Sequence, residues 1–206
     1  MLGEAPSDVK QSETHYTTRD GTKMRVKVYQ PASAPQDGSP YIVMIHGGGF
    51  CIGAPEGEEQ TCRNLVQGFG AVCLSISYRL APQFKFPYAP NDCWDALKWA
   101  AENYKQFGAD PSKGFIVGGT SAGGNLSAVL AHLARDEGLS PSLTGQYLAI
   151  PAVGGGKLIP EKYKDRWLSF EQNVDVPVLP IAAVDMFMNG YQPDPNAYDL
   201  CKYGCG

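Results

Sequence analysis

The chain has 206 residues, 43% of them hydrophobic and 18% charged, with a formal net charge of −4. That length holds one domain with a sizeable core and not two comfortable ones, and the composition excludes a disordered chain. The lysines and arginines are scattered, which argues against a nucleic-acid partner, and no apolar run approaches the length of a membrane span.

The first residues, "MLGEAPSDVKQSETH", are polar and acidic and lack the layout of a secretory signal, so a cytoplasmic location is expected. Next, "THYTT" and "KMRVKVYQP" flank "RDG", where Asp20-Gly21 is a turn signal; an antiparallel hairpin is predicted there. "YIVMIH" (41–46) is a continuous apolar run, as for a strand covered on both faces. "EGEEQTCRNLVQGFG" reads as a helix closed by glycine, and "AVCLSISY" as the next buried strand. In "NDCWDALKWAAENYKQFG", Asn91 or Asp92 is the expected cap. Cys93, Leu97, Ala101 and Tyr104 then form one helical stripe. "KGFIVGG" is a short strand, "SAGGNLSAVLAHLARDEG" a helix that begins at Ser121, and "GQYLAIPAV" the last convincing strand.

Buried strands alternating with helices predict an α/β fold: a mostly parallel sheet with helices on both faces. From Gly154 the pattern changes to a mixture of glycine, proline and aromatic residues, with one short helical piece near 181–188, an apparent excursion from the sheet. One domain spanning 1–206 is expected, with a core at 14–153, a partial cap insertion at 154–196 and a divergent tail at 197–206.

Six cysteines are present. Cys51, Cys62, Cys73 and Cys93 fall in apolar or helical patterns, where free cysteine behaves as a small buried hydrophobe. Cys201 and Cys205 alone are weak metal ligands, so no metal and no cofactor are expected.

Gly119-Thr120-Ser121-Ala122-Gly123 has the form G-x-S-x-G at a strand-to-helix junction. Such a turn is too tight for bulky neighbours, strains the serine backbone and presents its hydroxyl at a helix amino terminus. His46-Gly47-Gly48-Gly49-Phe50 follows another buried strand, and glycines there let backbone N–H groups approach a ligand oxygen. Serine attack on an ester carbonyl creates an oxyanion, and loss of one preorganised donor costs about 3–4 kcal/mol. Both motifs following strands, 75 residues apart (121 − 46), makes chance a poor account of either. A dinucleotide loop fits badly, because Gly118-Gly119-x-x-x-Gly123 lacks the G-x-G-x-x-G spacing.

"HGGGF", "SISYRLAPQFKFPYAP" and "GGTSAGGN", in that order, make the chain resemble the hormone-sensitive-lipase-like esterase/lipase group of α/β-hydrolases (fold-3 type) over about residues 14–196. The resemblance implies an α/β-hydrolase fold and a carboxylic ester hydrolase acting on a small-molecule ester. It implies Ser121 as nucleophile and an oxyanion hole from the N–H groups of Gly48, Gly49 and Ala122. It gives His46 a loop-shaping role, and Tyr78, Arg79 and Pro82 a structural one.

A triad in this fold runs serine, acid, histidine. The one later histidine, His132, lies eleven residues on along the same helix, about 16 Å from Ser121 along its axis. His15 belongs to the hairpin, at the far edge of the sheet. Asp175, Asp185, Asp194 and Asp199 follow no recognisable strand, so none is assigned as the acid. This chain is therefore expected to lack the triad acid and histidine and the last two strands of an eight-stranded sheet. It should be weakly active or inactive alone, with "GQYLAIPAV" as an exposed edge open to self-association. The alternative is a non-catalytic small-ligand-binding protein of the same fold.

Overall fold

The computed structural model describes residues 6–153 and 159–194. The tail at 197–206, with Cys201, Cys205 and Asp199, lies outside the described residues, as does the start of the expected cap at 154–158.

Two nine-residue strands, β1 (Val9–Thr17) and β2 (Lys23–Pro31), form the expected hairpin. Its turn is closed by Thr18 N–H donating to the Thr22 carbonyl at 2.9 Å, with Gly21 at φ +86°. The Asp20 carboxylate accepts from the Thr18 and Thr22 hydroxyls at 2.6 and 2.9 Å, which settles the turn polar groups without help from the sheet. Four further strands, β3 (Tyr41–Ile45), β4 (Val72–Ile76), β5 (Phe115–Thr120) and β6 (Gly145–Ala149), complete a six-stranded sheet ordered β1-β2-β4-β3-β5-β6. The β2–β4 pair is antiparallel, and β4, β3, β5 and β6 run parallel.

Strand periodicity sorts the core into two layers. Tyr41, Val43, Ile45, Phe115 and Val117 face a larger cluster that includes Ala96, Leu97, Leu126 and Leu130 of α2 (Tyr88–Asn103) and α3 (Ala122–Asp136). Ile42, Met44 and Cys73 face a smaller cluster with Cys62 and Val66 of α1 (Glu59–Phe69). Helices thus cover both faces, as alternating buried strands require. Helix α1 closes on Gly70 at φ +62°, whose N–H donates to the Val66 carbonyl at 2.9 Å.

The start of α2 differs from expectation. It begins at Tyr88 after Pro87, three residues before Asn91, and neither Asn91 nor Asp92 caps it. Asp92 instead accepts from the Arg79 backbone N–H, Nε and Nη2 at 3.0, 2.9 and 2.6 Å, and Asn91 Oδ1 accepts from Arg19 Nη1 at 3.1 Å. A buried carboxylate with a bidentate arginine partner has a stronger claim on that side chain than a helix end has. Of the stripe, Cys93, Leu97 and Ala101 are buried, while Tyr104 falls in the 3₁₀ turn after the helix and is half-buried.

Beyond residue 159 the described chain carries two further helices, α4 (Ser169–Gln172) and α5 (Ile181–Tyr191). The latter does not stay away from the body of the fold; it returns to pack on the glycine loop after β3. No helix among the described residues is long and apolar enough to cross a membrane.

Candidate active site

Ser121 stands between β5 and α3 with φ +54° and ψ −113°, a conformation that side-chain sterics disfavour. Neighbouring main chain holds it there. Its N–H donates to the Ala149 carbonyl at 2.9 Å, and its carbonyl accepts from Asn125 N–H at 3.0 Å and Ala152 N–H at 3.3 Å. The Asn125 side chain donates to the Ala152 carbonyl at 2.8 Å, tying the segment after β6 to the first turn of α3.

Small residues around the serine are required by distance. A Cβ on Gly119 or on Gly123 would run into the Ile45 carbonyl, so both must be glycine for α3 to start against the end of β3. The glycine loop comes as close from the other side: a Cβ on Gly47 would lie 2.9 Å from the Thr120 carbonyl oxygen and 3.5 Å from the Ser121 Cβ. Gly48 (φ +118°), Gly49 (φ +57°) and Phe50 (φ +64°) then turn left-handed in succession, closed by Cys51 and Ile52 N–H groups on the Gly48 carbonyl, each at 3.0 Å. Among the described residues, the N–H groups of Gly48, Gly49 and Ala122 find no main-chain acceptor. Through Gly47, the loop that carries Gly48 and Gly49 reaches the junction that carries Ser121 and Ala122.

His46 is buried beside the glycine loop, with its ring face and Nδ1 both engaged. Its ring stacks on Tyr78 at 4.3 Å between centroids, and Nδ1 lies 2.8 Å from the Gly47 carbonyl, so that nitrogen carries the proton. The Tyr78 hydroxyl donates to the His46 carbonyl at 3.0 Å. Burial holds the imidazole below its ordinary value, with a smaller opposing pull from the Gly47 carbonyl and Glu56. His15 is exposed on β1, the sheet edge opposite β6. His132 is half-buried on α3, eleven residues beyond the serine. Asp175, Asp185 and Asp194 are all exposed.

Two groups near the site were not legible in the sequence. Glu58 is buried at the start of α1, and desolvation pushes its carboxyl up, opposed by hydrogen bonding from Thr120 and Thr61. Phe187 of α5 covers Gly49 so closely that a Cβ there would overlap the ring, and Tyr191 stacks on Phe50 at 3.9 Å and 7°. Only an apolar helical period marked α5 in the sequence, and that period cannot say what the helix lands on. Among the described residues no cluster of histidine, cysteine, aspartate and glutamate could hold a metal ion.

Residues 42–201 match the family described as alpha/beta hydrolase fold. Carboxylesterase NlhH of Mycobacterium tuberculosis is 38% identical over 172 residues, which is 84% of this chain and 50% of that protein. An AB hydrolase superfamily protein of Schizosaccharomyces pombe is 38% identical over 192 residues, 93% of this chain and 57% of that protein. Among solved structures, vibralactone cyclase superimposes with a TM-score of 0.86 at 35% identity, covering 95% of this chain and 60% of the other. The hyperthermophilic esterase of the archaeon Pyrobaculum calidifontis gives 0.77 at 37% identity, covering 90% and 58%. The chain spans about half the length of the curated relatives it matches. With the family match over residues 42–201 and relatives 38% identical over more than four-fifths of it, the chain belongs to the alpha/beta hydrolase fold family, in its fold-3, hormone-sensitive-lipase-like group.

Proposed function

We propose that this chain carries the acyl-accepting part of a serine carboxylic ester hydrolase. Ser121 is the nucleophile, and the N–H groups of Gly48, Gly49 and Ala122 receive the oxyanion as the ester carbonyl becomes tetrahedral. The observation that carries this reading is the close approach of Gly47 to Ser121, beside three amides with no main-chain acceptor among the described residues. A second support is the set of relatives named as esterases, such as Esterase LipI of Mycobacterium tuberculosis, 36% identical over 166 residues.

The general base does not come from the three histidines of this chain. One is stacked and bonded to its own loop, one stands at the opposite sheet edge, and one lies about 16 Å along α3. Without a base the hydroxyl is a weak nucleophile and deacylation by water is slow, so the chain alone takes up an acyl group and releases it poorly. The substrate is a small-molecule ester. Stopped-flow release of p-nitrophenol from p-nitrophenyl acetate tests this: one slow equivalent per chain is expected, lost in Ser121→Ala. Sustained turnover at ordinary esterase rates that Ser121→Ala abolishes would show that the base is present.

A second reading, retention of a small apolar ligand without hydrolysis, is favoured by the aromatic wall that Phe187 and Tyr191 set beside the glycine loop. Thermal stabilisation by short carboxylic acids, with no adduct at Ser121, would select it.

A further inference from the structure

Helix α5 contains eleven residues, and only Tyr191 among them is fully buried. For so apolar a helix, "IAAVDMFMNGY", that is little core contact, and it touches the glycine loop and the segment before α2. The Phe187 ring lies on Gly49, where a Cβ would otherwise project. The Phe187 carbonyl accepts from the Cys51 thiol at 3.6 Å, and a Cβ on Gly190 would stand 3.2 Å from the same sulfur. Tyr191 stacks on Phe50 at 3.9 Å, and its carbonyl accepts from Phe86 N–H at 2.9 Å. Phe86 in turn meets the Tyr191 ring edge-on at 5.9 Å, which anchors the helix end to the segment before α2.

The loop so held is the one with most to lose by moving. Gly49 and Phe50 both keep positive φ, and Phe50 is an aromatic residue in a conformation that side chains seldom adopt. Such a conformation persists only where the surroundings over-determine it. Within the loop, the Cys51 and Ile52 bonds to the Gly48 carbonyl hold one end, and Ala81 N–H on the Phe50 carbonyl at 2.9 Å holds a second point. Neither touches Gly49 itself. That residue's outward face is held by Phe187.

We propose that α5 is the clamp of the oxyanion loop, with Phe187 and Tyr191 as positioning residues that hold the Gly48 and Gly49 amides toward Ser121. The proposal rests on the hydrolase reading above for its catalytic consequence, and on the loop contacts alone for its structural one. A donor that must be in place before the carbonyl becomes tetrahedral acts on the acylation step and not on ester binding. Removal of the clamp therefore lowers the rate at saturation and leaves half-saturation nearly unchanged.

The test uses the full chain. Phe187→Ala removes a half-buried ring, the dispersion of its amide spectrum reports that the fold is retained, and Phe187→Leu restores apolar cover over Gly49. Pre-steady-state release from p-nitrophenyl acetate is measured over a concentration series, alongside amide ¹H–¹⁵N spectra. In Phe187→Ala the saturating burst rate falls by about tenfold or more, as a displacement near 1 Å in a reacting group does, with half-saturation within about twofold. Phe187→Leu recovers most of the rate. The Gly48 and Gly49 amide signals move in Phe187→Ala and return in Phe187→Leu. A burst at the wild-type rate in folded Phe187→Ala overturns the clamp. If wild type gives no burst at Ser121, the hydrolase reading fails, and the amide signals then decide the clamp: unmoved Gly48 and Gly49 signals in Phe187→Ala overturn it, and displaced ones that Phe187→Leu restores uphold it.

Discussion

Ser121 occupies a backbone conformation that costs free energy, and the residues around it are those that let the cost be met locally: glycine at 47, 119 and 123, where any Cβ would strike main chain. Gly123 is the most exacting. A methyl group there meets the carbonyls of Ile45 and His46, so the end of β3 and the start of α3 must separate. Gly123→Ala is expected to lose about 3 kcal/mol or more in urea unfolding; a loss under about 1 kcal/mol would mean that the junction is looser than drawn. His46 supplies a pH prediction. Burial keeps its imidazole neutral, so the native protein binds fewer protons than the unfolded chain just below the ordinary histidine value of about 6.5. Its contribution to stability is complete above that pH and falls as pH drops through it. The Cε1–H resonance of His46 should titrate with its midpoint below the ordinary histidine value, and a midpoint at or above about 6.5 would contradict the buried, stacked placement.

Elements find each other here through ion pairs whose partners are far apart in sequence. Arg79, just after β4, holds Asp92 on α2 at 2.6 Å and Asp20 in the hairpin turn at 2.6 Å, while its guanidinium lies over Tyr88 at 4.5 Å. Arg19 makes a similar bridge to Asp95 at 3.0 Å. Asp92 is fully buried, so Asp92→Ala leaves a half-buried guanidinium short of its main partner. About 3–5 kcal/mol of stability should go with it, read as a shift in the urea midpoint; a change within about 0.5 kcal/mol, the range of an ordinary surface substitution, would refute the tie. The same pair explains the limit of reading this chain by eye. The hairpin, the strands at 41–45 and 115–120 and the glycine end of α1 were legible, because turn chemistry, apolar runs and caps are local. The start of α2 was not, because Asn91 and Asp92 have the chemistry of caps and are claimed instead by arginines 72 and 13 residues away. Ser121 and its glycines were legible for the same local reason, whereas Phe187 on Gly49 depends on where a distant helix lands.

At the scale of the molecule, β6 pairs among the described residues only with β5, and Tyr147 on it, at 46%, and Ile150 just past its end, at 79%, are exposed. An edge with unpaired amides and exposed apolar side chains favours pairing with a second copy. Concentration-dependent association is therefore expected in sedimentation velocity, and Tyr147→Lys should weaken it. A wild type that stays monomeric up to high concentration would remove this expectation. The edge lies beside the Ser121 turn, since Ala149 at the end of β6 accepts the Ser121 N–H.

Acylation of Ser121 is the covalent event that decides the hydrolase reading. Intact-mass spectrometry after exposure to p-nitrophenyl acetate, followed by peptide mapping, should find one acetyl group per chain, on Ser121, that persists because no histidine of this chain is placed to drive deacylation. A chain with no adduct, or with acetyl groups spread over surface lysines and none on Ser121, would contradict it.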